Sequence, residues 1–337
     1  MKTLLTIAIP TFNRAERLDK SLNDLLEQIN RSKKNQYISV FVSNNGSSDA
    51  TAEVITKYSI QFERNAILFK VNTFTQNQGF DANVLACYEK SNSDYVWFLS
   101  DDDNVINGGI NSIINDIEIF APNVVYYNFD QFPYNISNPY INNTKLYKEI
   151  NHEGIQSISK IIEWPKLTSL VIKRKTLSKD GITIGSGFMH VALAIQVGLS
   201  YGRVLHSVKY IAGPDKDYRD QINFPPYIGN NLYKMLRHLL CVNHKLEFYD
   251  QIDVKVVDPL TSSMNTLGAY YRGKFVLTNA LKAELLSTIK WELRNLGIKR
   301  RGKYMIAMSM VKLLISYACN ILFLFLMGKN LEKTRKK

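Results

Sequence analysis

The stretch that decides the fold is Tyr95-Val96-Trp97-Phe98-Leu99-Ser100-Asp101-Asp102-Asp103, an apolar run followed almost directly by three carboxylates. The apolar part is typical of a buried strand. Three adjacent carboxylates repel one another, and burying them costs desolvation free energy. A bound divalent cation would remove that cost, since carboxylate oxygens are hard ligands suited to Mg²⁺ or Mn²⁺, ions that usually also take substrate phosphate oxygens. The alternative is an acidic surface turn that only caps the strand.

Three more strands are predicted upstream, and each is followed by a helix pattern. The strands are Leu4–Ile9, stopped by Pro10, then Ile38–Val42 and Ile67–Val71. The helices are predicted over an apolar stripe at 18–29, over 50–58 and over 81–90. Strands that alternate with helices at this spacing predict an α/β fold with a mostly parallel sheet. The polar segments after the strands should then gather at one edge of the sheet, where ligands bind in such folds.

Four polar motifs follow these strands in order. They are Ile9-Pro10-Thr11-Phe12-Asn13-Arg14, Ser43-Asn44-Asn45-Gly46-Ser47-Ser48-Asp49, Asn77-Gln78-Gly79-Phe80 and Leu99-Ser100-Asp101-Asp102-Asp103. In this order and spacing, over residues 1–110, they resemble the family 2 glycosyltransferases of the GT-A fold, a Rossmann-like sheet flanked by helices. Segments 167–173 and 187–190 are more loosely similar to the bacterial O-antigen and capsule sugar transferases of that family, abequosyltransferase-like enzymes among them.

The resemblance implies a nucleotide-sugar donor and assigns residues to it. The predicted donor-binding residues are Pro10, Thr11, Asn13, Arg14, Asn44, Asn45, Asp49, Gly79, Asp81, Asp101 and Asp102. The family usually has an acidic pair where this chain has Asn44 and Asn45. An amide both donates and accepts hydrogen bonds, so base binding can survive with an altered preference.

The metal ligands follow from the family's DxD motif, which Asp101 and Asp103 resemble. Asp103 is predicted to ligate a divalent metal, Mn²⁺ or Mg²⁺, directly. Asp101 is predicted to contact the donor ribose, a metal-bound water or the metal itself. A register shifted to Asp102 is the alternative. The metal would neutralise the diphosphate leaving group as charge develops on it.

An inverting transferase also needs a base for the proton of the acceptor hydroxyl. The resemblance places it in Gly187-Phe188-Met189-His190, so His190 is predicted as the catalytic residue. A histidine has a suitable pKa for that role, and it could instead ligate the metal or contact the diphosphate. The plain alternative is a histidine at a helix start that only caps or packs. Asp215 and Asp217 are the reserve candidates for the base.

The chain of 337 residues is predicted to form a catalytic domain over 1–225, with a nucleotide-sugar half (1–110) and an acceptor half (111–225), and a helical C-terminal extension over 226–337. Leu313–Met327 is almost wholly apolar, but its about 15 residues fall short of the roughly 20 that span a bilayer. Basic residues flank it, and the net charge is +12. Segment 299–337 is therefore predicted to lie on an anionic membrane surface. A buried closing helix or a dimer contact is the alternative.

Compartment and partners follow from composition. The three cysteines, Cys87, Cys241 and Cys319, form no disulfide framework or zinc-ligand spacing, and the first apolar run is too short for a secretory signal. Both observations favour the cytoplasm, at the inner face of the membrane. The basic residues are spread along the chain without a nucleic-acid module, so a nucleic-acid partner is not expected.

The resulting prediction is a metal-dependent, inverting glycosyltransferase. It would move a sugar from a nucleotide-sugar to an oligosaccharide or polyprenyl-diphosphate-linked acceptor in bacterial surface polysaccharide synthesis. Two rival classes remain open. A nucleotidyltransferase usually has a Gly-rich, basic loop after its first strand, where this chain has Thr11-Phe12-Asn13-Arg14. A non-catalytic, membrane-associated scaffold that binds a nucleotide or sugar would also be compatible with Asn44 and Asn45.

Overall fold

A computed structural model describes residues 3–128, 145–147, 166–178 and 184–214, and the isolated positions 161, 235, 236, 238, 239 and 242. All of them belong to the first of two units, Met1–Val257. The boundary predicted at residue 225 and the segment predicted to lie on a membrane, 299–337, fall outside the described residues. Within the described part of the chain, no helix is both long enough and apolar enough to cross a bilayer.

Ten strands and five helices are described. The strands are β1 (Leu5–Thr11), β2 (Ile38–Asn44), β3 (Leu68–Thr73), β4 (Tyr95–Phe98), β5 (Asp103–Val105), β6 (Val124–Asn128), β7 (Lys145–Tyr147), β8 (Leu170–Lys173), β9 (Val204–Tyr210) and β10 (Ala212–Pro214). The helices are α1 (Ala15–Ser32), α2 (Thr51–Arg64), α3 (Phe80–Lys90), α4 (Gly109–Phe120) and α5 (Met189–Tyr201). Two 3₁₀ turns cover Asn35–Tyr37 and Leu167–Ser169.

Eight of the strands form one mixed, mostly parallel sheet in the order β3-β2-β1-β4-β8-β6-β9-β7. The first four strands are parallel, and Ile7 at the centre of β1 lies between Val40 of β2 and Trp97 of β4. β8 is antiparallel to both β4 and β6, whereas β9 is parallel to β6. β5 and β10 pair separately, antiparallel to each other. The predicted α/β fold, with its mostly parallel sheet, is confirmed.

Helices cover both faces of the sheet, which explains why the strands are apolar throughout. Side chains alternate along a strand, so Val96 and Phe98 join the core beneath α3 and α5, while Trp97 and Leu99 join the core beneath α1, α2 and α4. Trp97 is fully buried, and its indole N–H donates to the Thr168 carbonyl at 2.9 Å. A strand covered on both faces needs no polar alternation.

The prediction that Pro10 stops the first strand is wrong, because β1 continues to Thr11. The Ala8 carbonyl accepts from Leu99 N on the β4 side, and the Thr11 carbonyl accepts from Asn45 N on the β2 side. Along a parallel strand, the N–H and C=O of one residue point to the same neighbouring strand, and those of the next residue point to the opposite one. The position of the N–H that Pro10 lacks therefore faces the β4 side. The pairing of β1 with β4 has already ended at Ala8. The proline therefore removes no hydrogen bond from the sheet.

The upstream helices and strands lie where the sequence places them, with different ends. α2 runs to Arg64, well past the predicted end at residue 58, because Phe62 extends its buried stripe. β3 covers 68–73 instead of 67–71. Cys87 is fully buried in α3, so this cysteine serves as a small core residue.

Candidate active site

The carboxyl ends of β1 and β4 bring the first and last predicted motifs together. Thr11 Oγ1 donates to Asp101 Oδ2 at 2.8 Å, and Arg14 Nη1 donates to Asp101 Oδ1 at 2.7 Å. The same Arg14 nitrogen lies 3.2 Å from Asp102 Oδ2, and Arg17 Nη1 lies 3.4 Å from that oxygen. Arg14, at the N-cap of α1, and Arg17, in the first turn of that helix, therefore both face the acidic cluster. Arg17 is a site residue that was not predicted from the sequence.

The acidic cluster is buried, and its charges are only partly compensated. Asp101 and Asp103 are 3% and 8% exposed. Burial raises the pKa of Asp101, and the Asp102 carboxylate adds to the rise while Arg14 opposes it. Burial, with the negative charge of Asp102, also raises the pKa of Asp103, to about 7. For both acids, burial outweighs the effect of nearby positive charge and hydrogen bonds, so their surroundings disfavour the charged forms.

Thr168 is a site residue to which no role is assigned from the sequence alone. Its hydroxyl donates to Asp103 Oδ2 and also accepts the backbone N–H of Ser100, at 3.1 Å. Burial raises the pKa of Asp103 by more than the hydrogen bond from Thr168 and the positive charge of Lys166 together lower it. The residues directly before the antiparallel strand β8 thus supply groups that hold the acidic cluster. No local sequence signal could show this, because the partners are 65 residues apart.

The motifs after β1 and β2 are joined through Asn13. Its backbone N–H donates to Ser47 Oγ at 2.9 Å, and its side-chain Oδ1 accepts the N–H of Ser48 at 2.8 Å. Asn13 has a positive φ of 51°, which asparagine tolerates better than most residues. This predicted donor-binding residue fixes one loop against the other.

Asp49 holds the starts of two helices. Its Oδ2 accepts the N–H of Ala15, the first residue of α1, at 3.0 Å, and its Oδ1 accepts that of Thr51, the first residue of α2, at 3.1 Å. Burial raises the pKa of the carboxyl, but hydrogen bonds from the Thr51 hydroxyl and from these backbone N–H groups outweigh it, and the pKa lies below its usual range. A carboxylate at two helix N-termini stabilises both, so Asp49 organises the loops of the predicted donor site.

Asn45 joins the second motif to the third. Its Nδ2 donates to Asn77 Oδ1 at 2.9 Å and to the Gly79 carbonyl at 3.1 Å, and its Oδ1 accepts from Gln78 N at 2.9 Å. Asn44 uses its Oδ1 for a local turn, accepting the N–H of Ser47 at 3.0 Å. Both asparagines are buried. Their amides, unlike the acidic pair usual in the family, both donate and accept.

The third motif leads into α3 and from there to His190. Gly79 precedes the helix with a φ of 84°, a conformation that favours glycine. Phe80 is 45% exposed, and its ring meets that of His190 edge-on at 6.0 Å. Asp81, in contrast, is buried, and its carboxylate accepts backbone N–H groups from the turn before α5. His190 is the second residue of α5 and is 3% exposed. The candidate base therefore lies under the motif after β3.

The reserve candidates, Asp215 and Asp217, lie outside the described residues. The strand before them is described, and in its register Pro214 of β10 is the partner of Asp103. Pro214, the last residue of the described range 184–214, therefore lies beside the acidic cluster.

The donor set at this edge suits a divalent cation held together with a substrate. Among the described residues, no three His, Cys, Asp or Glu side chains are arranged to hold an ion by themselves. Mg²⁺ and similar ions, however, are commonly held by one or two carboxylates together with substrate phosphates and waters. The buried, under-compensated carboxylates of Asp101 and Asp103 fit that arrangement.

A mixed α/β sheet with four polar loops and buried carboxylates at one edge defines the GT-A class of transferase. The family model described as "Glycosyl transferase family 2" matches residues 6–189, which is more than half of the chain. The chain belongs to glycosyl transferase family 2. The family resemblance and the enzyme class predicted from the sequence are confirmed.

Two curated relatives are both glycosyltransferases. The chain is 28% identical over 229 residues to Abequosyltransferase RfbV of Salmonella typhimurium (strain LT2), covering 63% of this chain and 65% of the relative. It is 26% identical over 110 residues to the GalNAc(5)-diNAcBac-PP-undecaprenol beta-1,3-glucosyltransferase of Campylobacter jejuni, covering 33% of each. The chain thus spans less than two thirds of either relative.

A solved structure shares the fold. The mannosyltransferase PcManGT of Pyrobaculum calidifontis, determined in complex with GDP-Man and Mn²⁺, aligns with a TM-score of 0.50 and 12% identity. The alignment covers 94% of this chain and 86% of that one.

Proposed function

We propose that the chain transfers a sugar from a nucleotide-sugar donor to a glycan acceptor, and that the donor diphosphate and a divalent cation meet at Asp101 and Asp103. The observation that carries the proposal is the pair of buried carboxylates with raised pKa values at the edge where four loops converge. A structural role alone gives no reason to keep adjacent buried acids, because isosteric neutral residues would cost less desolvation free energy.

The reaction we propose is a single displacement with inversion. The acceptor oxygen forms a bond to the anomeric carbon, and the bond from that carbon to the diphosphate oxygen breaks. The nucleoside diphosphate leaves, and the acceptor proton passes to a base, for which His190 is the first candidate and Asp215 or Asp217 the reserves. A bound Mn²⁺ or Mg²⁺ would supply charge neutralisation at the leaving group.

The donor is proposed to lie over the loops after β1, β2 and β3, so that the base of the nucleotide reaches the loop that begins with Asn44 and Asn45. Arg14 has a side chain that is 43% exposed, so it is available to a ligand at the same time as it contacts Asp101. A guanidinium has five N–H donors, enough to contact a carboxylate and a phosphate together. We propose that Arg14 binds both the acid and the donor diphosphate.

The acceptor is proposed to be a lipid-linked glycan, because the name of the Campylobacter relative specifies an undecaprenol-linked acceptor for that protein. The net charge of +12 and the basic, apolar segment 299–337 support a location at the inner surface of the cell membrane. Sedimentation of the full chain with anionic vesicles, but not with neutral ones, is the expected result. Failure to bind either kind of vesicle would refute the location and would leave the proposed transfer reaction unaffected.

The experiment that tests the transfer reaction follows nucleoside diphosphate release from a panel of nucleotide-sugars. The full chain is assayed with an undecaprenyl-diphosphate-linked oligosaccharide, with Mn²⁺ and with a chelator in its place. We expect one donor to be consumed, only with metal, and no release by Asp103→Asn. Asp116→Asn is the matched control, because Asp116 is another buried aspartate, whose carboxylate is bonded to Tyr127 and Lys209. Failure of every donor would refute the proposal.

A further inference from the structure

Asp81 was predicted to bind the donor, but both oxygens of its buried carboxylate are already used. Oδ2 accepts the N–H of Gly185 at 2.7 Å, the N–H of Gly187 at 3.0 Å and the hydroxyl of Ser186 at 3.2 Å. Oδ1 accepts the N–H of Met189 at 3.1 Å. Four donors from one short turn therefore converge on a single side chain more than 100 residues away.

These four hydrogen bonds decide the shape of the turn. Gly185 and Gly187 have positive φ values of 99° and 77°, a conformation in which successive N–H groups can point to one anion. A turn of this kind has no ladder of its own, and Gly185 and Gly187 are exposed, so without the carboxylate their N–H groups would depend on water. The carboxylate of Asp81 satisfies them and so selects this conformation.

The same carboxylate fixes the start of α5. Met189 is the first residue of the helix, and the N–H groups of a first turn have no partner within the helix. A negative charge there also stabilises the helix through its dipole. Because His190 is the next residue, a carboxylate bonded to Met189 N holds the backbone from which the His190 ring projects.

The other end of this connection is tied to the predicted donor loops. Asp81 lies in the first turn of α3, which begins directly after Gly79, and Gly79 accepts from the Asn45 amide. One turn later, Asn83 Nδ2 donates to the carbonyl of Ser43 at 3.1 Å. The helix start that carries Asp81 is therefore fixed to the carboxyl end of β2, and through Asp81 to the turn before His190.

We propose that Asp81 is a positioning residue, which sets His190 relative to the donor loops and does not itself bind the donor. The inference rests on the proposed function, since it assigns Asp81 a part in the same transfer reaction. It replaces the prediction that Asp81 is a donor ligand. It also explains why one buried aspartate spans the nucleotide-sugar half and the acceptor half of the fold.

The test is Asp81→Asn in the full chain, with Asp116→Asn as the buried control. Asparagine has nearly the same volume, but its NH₂ group cannot accept, so at least one of the N–H groups loses its partner. We expect kcat to fall 10- to 100-fold while the KM for the donor and the Kd of the nucleoside diphosphate stay within twofold of wild type. In Asp116→Asn, kcat should stay within twofold. A tenfold weaker nucleotide affinity with unchanged kcat would instead show that Asp81 binds the donor.

A second variant approaches the turn from its other side. Gly187→Ala strains the positive φ, although a Cβ there would meet no atom within 4 Å, so the expected loss of kcat would come from the turn conformation alone. Hydrogen exchange gives a readout that needs no turnover: the amides of Gly185, Gly187 and Met189 should exchange at least tenfold faster in Asp81→Asn. Unchanged exchange, or unchanged kcat in both variants, would overturn the inference. If the wild type neither binds nucleotides nor turns over, the proposed function fails, and the exchange experiment still decides whether Asp81 holds the turn.

Discussion

The two ends of the same parallel strands carry two very different polar clusters. At the amino end, the hydroxyls of Thr3, Thr6, Ser39 and Ser93 meet one another in the core. At the carboxyl end, the side chains of Asp101 and Asp103 are also buried, but they are carboxylic acids instead of hydroxyls. Each cluster includes a residue of β1 and residues next to β4, so the clusters differ in the end of the sheet at which they lie and in their chemistry.

The amino-end cluster is neutral and satisfies itself. Thr6 Oγ1 lies 2.9 Å from Ser39 Oγ and 2.7 Å from Ser93 Oγ, and the two serine oxygens are 3.2 Å apart. Each hydroxyl can donate one hydrogen bond and accept two, so a closed group of hydroxyls needs no ligand. This cluster fits a purely structural role.

The carboxyl-end cluster lacks that closure. Carboxylates only accept, and burial raises the pKa of both acids, which the donors Thr11, Arg14 and Thr168 offset only in part. The difference teaches that burial of polar groups is not by itself a sign of function here. The sign is a charge that the fold leaves for something else to neutralise.

The largest expected effect is a difference in kcat between a variant of the carboxyl-end cluster and a variant of the amino-end cluster. Asp103→Asn should lower kcat at least 1,000-fold, about 4 kcal/mol in activation free energy, because a neutral amide is a poor metal ligand. Ser93→Ala at the other end should keep kcat within twofold of wild type. Steady-state transfer assays on the folded fraction of each variant check both values. Comparable losses of kcat in the two variants would remove the functional distinction.

Arg14→Ala should have the next largest effect. It removes the ion pair with Asp101 and a group proposed to contact the diphosphate, so kcat/KM for the donor should fall roughly 10- to 100-fold, or about 1.4 to 2.7 kcal/mol. Arg31→Ala is the control, since Arg31 forms an exposed pair with Glu27 on the same helix. A loss in Arg31→Ala of the same size would mean that the effect is not local to the acidic cluster.

The pH dependence of stability sharpens the comparison further. The folded-state pKa of Asp103, about 7, lies above that of an unfolded aspartate. The protonated acid is therefore favoured by folding, and its stabilising contribution, present at low pH, is lost as the pH rises through about 7. In chelator at pH 8, Asp103→Asn should be more stable than wild type by on the order of 2 kcal/mol. Urea titrations at pH 5 and pH 8 measure it, and a variant less stable than wild type at pH 8 would contradict the assignment.

The smallest expected effect lies in the hydroxyl cluster. Thr6→Val removes one hydroxyl and leaves partners in Ser39 and Ser93 unmet, which should lower the free energy of unfolding by about 1–2 kcal/mol. Because no group in this cluster titrates in the ordinary range, the loss should be the same at pH 5 and pH 8. A loss that varied with pH would show that the amino-end cluster is coupled to a charge.

Much of the fold and the acidic edge could be predicted from the sequence. The strand ending in Asp101-Asp102-Asp103 and the three polar loops before it are local patterns, and local patterns are visible in a sequence. The contacts of Thr168 with Asp103 and of Asp81 with the turn before α5 were not predictable in this way. They join residues 65 to more than 100 positions apart, and only the packed sheet brings them together.

Pro10 shows how a correct motif leads to a wrong interpretation, and Asp81 shows how the direction of a side chain supports a different role from the one that its motif predicts. The proline rule is sound, but it depends on which side of the strand the missing N–H faces. The aspartate belongs to a donor-loop motif, yet its carboxylate points into the fold, where four donors bind it. In both cases the residue type is visible in the sequence, but the direction in which its nitrogen or carboxylate points is not.

The measurement that tests the central claim most directly is thermal unfolding of the full chain with a panel of nucleoside diphosphates, each with and without Mn²⁺. Wild type and Asp103→Asn are compared, because a ligand that binds the native state raises the unfolding midpoint by linkage. We predict that one nucleoside diphosphate stabilises the wild type only when Mn²⁺ is present, and that Asp103→Asn loses this stabilisation. Equal metal-dependent stabilisation of both proteins, or none by any nucleotide, would contradict the claim that the acidic cluster is the donor and metal site.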